Sequence, residues 1–243
     1  MKKQLYILGI LLVGCMSNTT ILKAQDNFVD HLDHKSTALL ITDPQNDFLK
    51  EGGAAFALVK DNLEEVGTIE NIDLLFRSAK ASNVPVFISP HIYFPQDAKW
   101  ESRGSLQSTM DQIDMFRVSH PINHKNFIGS GADFLEQYKK YILDDQTIIS
   151  SPHKIYGPDS NDLVLQLRKR GIQNVIIGGM AANLCTDSHM RELIENGFNV
   201  IMIKDAVGAP GDVAYQAALT NYSLIANSVL STEEAVKLIE NLK

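Results

Sequence analysis

The stretch Val175–Gly197, VIIGGMAANLCTDSHMRELIENG, decides the fold. A β-branched apolar run meets two glycines, a short polar turn and then a helical pattern that Gly197 closes. This is the strand–turn–helix of an α/β unit, and Cys185 stands where the turn becomes helix. Backbone N–H groups and the positive end of a helix dipole favour a thiolate at such a place. Read alone, Cys185 is as readily a small buried hydrophobe.

The same alternation continues in both directions. TALLIT (Thr37–Thr42) is an apolar run ending at Asp43, the pattern of a buried parallel strand. Further strands are predicted at Val84–Ser89, Thr147–Ser151, Val175–Ile177 and Phe198–Lys204, with a short edge strand at Ser228–Leu230. Helical spacing covers Asn62–Ala81, Phe134–Ile142, Ser160–Arg170, Leu184–Glu195, Val213–Ala226 and Thr232–Leu242. Residues 90–133 are irregular and rich in aromatics, and a loop that long is usually functional. The alternation predicts a three-layer, doubly wound α/β fold, Rossmann-like, with a mainly parallel sheet and helices on both faces.

A chain of 243 residues with 44% hydrophobic and 21% charged residues has ordinary globular composition. Its net charge of −7 argues against a nucleic-acid partner. Lys2 and Lys3 precede an apolar segment, Leu5–Val13, that is too short to span a bilayer. LVGC (Leu12–Cys15) then resembles a bacterial lipoprotein signal, with cleavage before Cys15 and a lipid on its sulfur. Cleavage after Ala24 is the alternative and would give a freely secreted protein. Residues 1–24 thus read as an export signal, 25–36 as a polar tether and 37–243 as the domain. Periplasmic or membrane-anchored placement follows. The mature chain keeps one unmodified thiol, Cys185, so it holds no internal disulfide.

In sheets of this kind ligands bind beyond the carboxyl ends of the strands. Asp43, Lys154 and Cys185 all fall at such ends. Each has a plain reading by itself: a turn residue before Pro44, a solvated loop lysine, a buried thiol. Their meeting at one edge makes a site.

Four segments carry a family resemblance: ALLITDPQNDF, SPHKIYGPDSNDL, GGMAANLCTDSH and KDAVGAP. With these the chain resembles the isochorismatase-like cysteine hydrolase superfamily, which includes nicotinamidases, carbamoylsarcosine amidohydrolases and ureidoacrylate amidohydrolases. The likeness covers residues 36–232. It implies that Cys185 is the nucleophile, that Asp43 takes its proton and later activates water, and that Lys154 sits beside both. It implies a cis Met180–Ala181 bond, with the N–H groups of Ala181 and Cys185 as oxyanion donors. It also implies a small-molecule substrate, no cofactor and a homo-oligomer.

The chain departs from nicotinamidases, which carry a metal-binding Asp-x-His after the second strand. Here that region reads VFISPHIYFPQD, so no metal site is expected. Phe48, His91, Tyr93, Trp100, Tyr156 and Met180 flank the motifs and are candidates for substrate contact. The thiol favours C–N hydrolysis over the vinyl ether hydrolysis of isochorismatases, and the intact acid–amine–thiol set argues against a non-catalytic binding protein on the same scaffold.

Overall fold

Thr37–Thr42 forms strand β1, and all six of its residues are buried. A strand apolar along its whole length needs cover on both faces. β1 has it at the centre of a six-stranded parallel sheet of order β3-β2-β1-β4-β5-β6. The others are β2 (Val86–Ser89), β3 (Ile148–Ile149), β4 (Asn174–Met180), β5 (Asn199–Gly208) and β6 (Ser228–Leu230). The computed structural model describes residues 29–30, 32–119 and 126–242. The expected export signal and the expected lipidation site, Cys15, lie outside the described residues. Among the described residues no helix is long and apolar enough to cross a membrane.

The helices, in chain order, are α1 (Asn46–Leu49), α2 (Phe56–Val66), α3 (Thr68–Ala81), α4 (Ser105–Gln112), α5 (Lys139–Ile142), α6 (Leu163–Lys169), α7 (Asp187–Glu195), α8 (Asp212–Ile225) and α9 (Thr232–Asn241). The period of two along β1 sends Leu39 and Ile41 to one face, where they pack with α2, α3 and α9 through Leu63, Ile72, Phe76 and Ile239. Leu40 goes to the other face and packs with Leu163, Met190 and Tyr222 of α6, α7 and α8. The chain builds from β1 to β2 and β3, then crosses back to β4 on the other side of β1. The reversal opens a crevice at the carboxyl ends of β1 and β4, where ligands of doubly wound sheets bind.

Several boundaries differ from the sequence reading. The helix expected over Asn62–Ala81 is two, divided at Gly67 with φ of 72°, a left-handed conformation that ends α2. The loop over residues 90–133 contains α4, opened where the Gly104 N–H donates to Gln107 Oε1 at 2.8 Å. The helix expected from Phe134 is a 3₁₀ turn, Glu136–Tyr138, followed by the single turn of α5. β4 and β5 run past their expected ends to Met180 and Gly208. The tether is packed over its last residues: Leu32 is buried, His34 donates to the Ser82 carbonyl, and the Asp33 carboxylate accepts the Lys35 and Ser36 N–H groups. Val29 also packs against the core, so the described residues ahead of β1 belong to the packed structure.

Gly179 explains the glycine pair of the deciding stretch. It has φ of 124°, and a Cβ there would fall on the Thr42 backbone. β4 can approach β1 at the crevice only without that carbon. Gly211 also has positive φ, 86°, but open space around it. Gly179→Ala should lose at least ~2 kcal/mol in urea unfolding or fail to fold, whereas Gly211→Ala should lose about 1 kcal/mol. Equal losses would contradict the close-approach argument.

Candidate active site

Asp43 follows β1 directly. It is fully buried, with φ of 46°, and its N–H continues the ladder to Ser89 O at 3.1 Å. The next residues fasten the long loop over the sheet edge. Gln45 donates from Nε2 to the carbonyls of His91 (2.8 Å) and Ala132 (2.7 Å), and accepts the His91 N–H on Oε1 at 2.8 Å. Asp47 accepts the Phe116 N–H at 2.6 Å and the Ala54 N–H at 3.0 Å. The polar QND run is thus the clamp that closes a dry site.

Cys185 lies in a turn of π-helix, Ala182–Thr186, which joins β4 to α7. Such turns are rare and often found at functional sites. The Met180–Ala181 bond is cis. Thr42 Oγ1 bonds Thr186 Oγ1 at 2.9 Å and donates to Met180 O at 3.2 Å, and Tyr222 OH donates to Ala182 O, so both ends of the turn are held. The Ala181 and Cys185 N–H groups face the sulfur and stabilise its charged form.

The partner of Asp43 is His153, which the sequence reading missed. Its Nε2 lies 2.7 Å from Asp43 Oδ1, and both side chains are fully buried. Lys154 is elsewhere. Its ammonium donates to Asp97 Oδ2 at 2.7 Å and to Ile92 O at 2.8 Å, and caps the Phe94 ring at 3.5 Å. The expectation that Lys154 sits beside Asp43 and Cys185 is therefore corrected. The cause is parity: His153 bridges His91 in parallel-strand fashion, and successive side chains of extended backbone point to opposite sides.

Three imidazoles crowd the carboxylate. His153 lies 4.5 Å from His91 and 5.0 Å from His189, ring centre to ring centre. Burial pushes all three down to about 3, so they are neutral at pH 7. Their partners then fix the tautomers. His189 donates from Nδ1 to Cys185 O at 2.7 Å and accepts from Ser89 Oγ on Nε2 at 2.8 Å. His91 donates from Nε2 to Lys154 O at 3.0 Å, and His153 donates to Asp43. Among the described residues, His91 Nδ1, His153 Nδ1 and Asp43 Oδ2 have no hydrogen-bond partner.

Burial raises Asp43 to about 6. Burial, and then the Asp43 charge, push the Cys185 thiol well above its ordinary value. The expected thiolate, favoured by backbone N–H groups and the helix terminus, does not prevail, because burial and the Asp43 charge outweigh the Ala181 and Cys185 N–H groups, and the Lys154 ammonium is bound to Asp97. At neutral pH the pair is a thiol facing a carboxylate. The donor atoms of Asp43, His91, His153 and Cys185 lie within 4.8 Å of one another, a sulfur, oxygen and nitrogen set that suits a soft divalent ion such as zinc. An ion there would occupy both the thiol and the carboxylate.

Cys185 and Ala181 form the floor of a cavity with about 590 Å³ of space, counting its mouth. Of the residues expected to touch substrate, Phe48, His91 and Tyr156 line it. Tyr93 and Trp100 line a separate small cleft with Arg103, their rings packed edge to face at 6.1 Å. Met180 is buried in the core against Gly208. The walls missed by the sequence reading come from α2 (Leu58, Val59) and α4 (Thr109, Met110).

Residues 37–234 match the family model of the Isochorismatase domain. The chain is similar to ureidoacrylate amidohydrolase RutB of Acinetobacter baylyi, 25% identical over 228 residues covering 91% of this chain and 90% of the relative. It is 26% identical to RutB of Agrobacterium fabrum over 204 residues, 78% of this chain and 84% of that one. In fold it resembles a cysteine hydrolase from Pseudomonas syringae pv. phaseolicola, with TM-score 0.69 and 22% identity over 87% of this chain and 96% of that one. Nicotinamidase PncA from Bacillus subtilis gives TM-score 0.57 and 16% identity over 81% and 99%. With a family match spanning the whole sheet and a thiol–carboxylate pair at its switch point, the chain belongs to the isochorismatase family.

Proposed function

We propose that this chain is a cysteine hydrolase that cleaves a C–N bond of a small amide, ureido or carbamoyl compound through a thioester. One observation carries the reading: a buried thiol at the floor of a cavity faces a carboxylate whose other oxygen is fixed by an imidazole. The similarity to proteins named ureidoacrylate amidohydrolase supports the bond type. Vinyl ether hydrolysis has no use for the thiol.

The chemistry follows from the charges. The Cys185 proton passes to Asp43 as sulfur attacks the carbonyl carbon, so no free thiolate has to exist in the dry site. The C=O electron pair moves to oxygen, where the Ala181 and Cys185 N–H groups meet it. The pair returns, the C–N bond breaks, and the Asp43 proton leaves on nitrogen as ammonia or an amine. Asp43 then takes a proton from water, hydroxide adds to the thioester, the C–S bond breaks, and sulfur recovers its proton from Asp43. His153 touches Asp43 and not the substrate. Its role is to hold Oδ1 so that Oδ2 meets the thiol. Export with a lipid on Cys15 is supported by the LVGC stretch, and an oligomer by the fold likeness to YcaC from Escherichia coli, described as an octameric hydrolase.

Cys185→Ala should abolish ammonia release without unfolding the protein. His153→Phe, which removes the donor, should lower kcat by about 10²-fold, and His153→Gln, which keeps an N–H near the same point, should recover much of it. Lys154→Met paired with Asp97→Asn should stay within about tenfold of wild type. A dead lysine variant beside an active His153→Phe would reverse the assignment.

Turnover should fall about tenfold per pH unit below about 6, where Asp43 takes up its proton before the thiol can give it one. His153→Phe should move this limb upward, since the carboxylate loses a donor. Stability has its own pH dependence. The three histidines, held near 3 when folded, contribute stability that is full above about 6.5 and is lost as pH falls toward 3. Asp43, raised to about 6, acts oppositely. Unfolding near pH 5 should therefore take up about two protons net, a loss of roughly 2–3 kcal/mol per pH unit. Circular dichroism separates the two effects. A stability flat from pH 7 to 5 would contradict the neutral-imidazole cluster.

Chelators should leave turnover unchanged, and added zinc should inhibit by occupying the thiol and carboxylate. Activity lost with a chelator and restored by zinc would overturn the thiol mechanism.

A further inference from the structure

The relatives named for ureidoacrylate act, by that name, on an anion. A carboxylate taken into a dry cavity costs several kcal/mol unless a cation or several N–H donors meet it there. Among the described residues, no charged side chain lines the cavity over Cys185. Its polar members are few. His91 gives its proton to Lys154 O, Thr109 gives its hydroxyl proton to Ser105 O, and Tyr156 remains with its phenol.

Three half-buried basic side chains described in the surrounding segments are held by carboxylates. Arg103 bonds Asp111 Oδ2 at 2.7 Å, Arg117 bonds Asp111 and Asp114, and Lys154 bonds Asp97. Behind the floor lies Asp43, fully buried, whose negative charge repels a second carboxylate. Apart from the rings of Phe48, His91 and Tyr156, the walls are mostly aliphatic or thioether: Val59 from α2, Met110 from α4, and Met115 and Leu184 beside them. Leu58 of α2 and Ile113, the residue after α4, are 65% and 41% exposed and both line the space, which makes the rim apolar as well.

From this lining we infer that the substrate is a neutral carboxamide whose acyl carbon bears an aliphatic or single-ring hydrocarbon group, and that ω-carboxylated ureido and amide compounds are rejected. The inference rests on the C–N hydrolase reading and narrows it. The amide enters head first. Its carbonyl oxygen takes the Ala181 and Cys185 N–H groups, its nitrogen lies toward Asp43, and its hydrocarbon tail fills the space between α2 and α4. Water leaves apolar walls and an apolar tail together, which is the driving force for selectivity.

The test is ammonia release by the protein from a homologous series, propanamide to hexanamide with benzamide, set against ureidoacrylate and against succinamic acid, whose carboxylate reaches as far from the amide as the end of pentanamide. The expected kcat/KM rises at least about threefold per methylene until the cavity is full, and succinamic acid lies at least about 10²-fold below pentanamide. Leu58→Arg, a change at an exposed position of the rim, should move the succinamic acid to pentanamide ratio at least about tenfold toward the anion. Ureidoacrylate or succinamic acid turned over as well as the neutral amides would overturn the inference and leave the hydrolase reading standing. No turnover of any compound would overturn the hydrolase reading itself. Calorimetric binding to the Cys185→Ala protein would then decide the cavity's preference: hexanamide bound more tightly than propanamide or succinamic acid supports it, and equal or reversed affinities overturn it.

Discussion

The hydrogen bond from His153 Nε2 to Asp43 Oδ1, 2.7 Å long and sealed from water, is the constraint on which the rest of the site depends. A carboxylate in a dry interior is expensive unless something donates to it. An ammonium would compensate the charge fully and quench the basicity of the carboxylate. A neutral imidazole compensates it in part, so Asp43 stays charged at neutral pH yet rises to about 6 and can still accept a proton. Among the described residues the bond also leaves one carboxylate oxygen without a partner beside the free thiol of Cys185.

That choice of partner changes the kind of nucleophile the site presents. With an ammonium nearby, sulfur would rest as a thiolate. Here burial keeps the thiol protonated, and in the proposed reaction the proton's transfer to Asp43, once a substrate carbonyl is in place, spreads one negative charge between sulfur and carboxylate. The site never holds two charges at once, which suits a cavity lined by aliphatic side chains. The clamps around it serve the same end. Gln45 and Asp47 draw the loop that carries His91 and Phe116 down onto the sheet edge, and His91 stacks on Phe116 at 4.9 Å, closing the carboxylate from solvent.

Much of this was legible in the sequence where the pattern was long. The four largely buried strands, β1, β2, β4 and β5, left apolar runs and their helices periodic ones, and Asp43 and Cys185 follow two of those strands. The glycine pair signalled the close approach of β4 to β1 that Gly179 makes. What was lost was parity. β3 is two residues long, so no alternation fixes which of His153 and Lys154 turns inward, and a slip of one residue exchanges imidazole for ammonium. The cavity walls were hidden for a different reason. SLQSTMDQ, the sequence of α4, has too few apolar residues to show a helical period, yet it supplies Leu106 and Met110 to the cavity. Tyr93 and Trp100 were named for their chemistry, and aromatic character does not say which of two neighbouring clefts a ring will fill.

The protonation state of His153 is the most direct test of this account. Long-range proton–nitrogen correlation spectra of the ¹⁵N-histidine protein, taken from pH 8 to pH 5, report which ring nitrogen carries the proton. The account predicts a neutral ring protonated on Nε2 and unchanged across that range. A His153 that carries both protons at pH 7, or whose single proton sits on Nδ1, would contradict it.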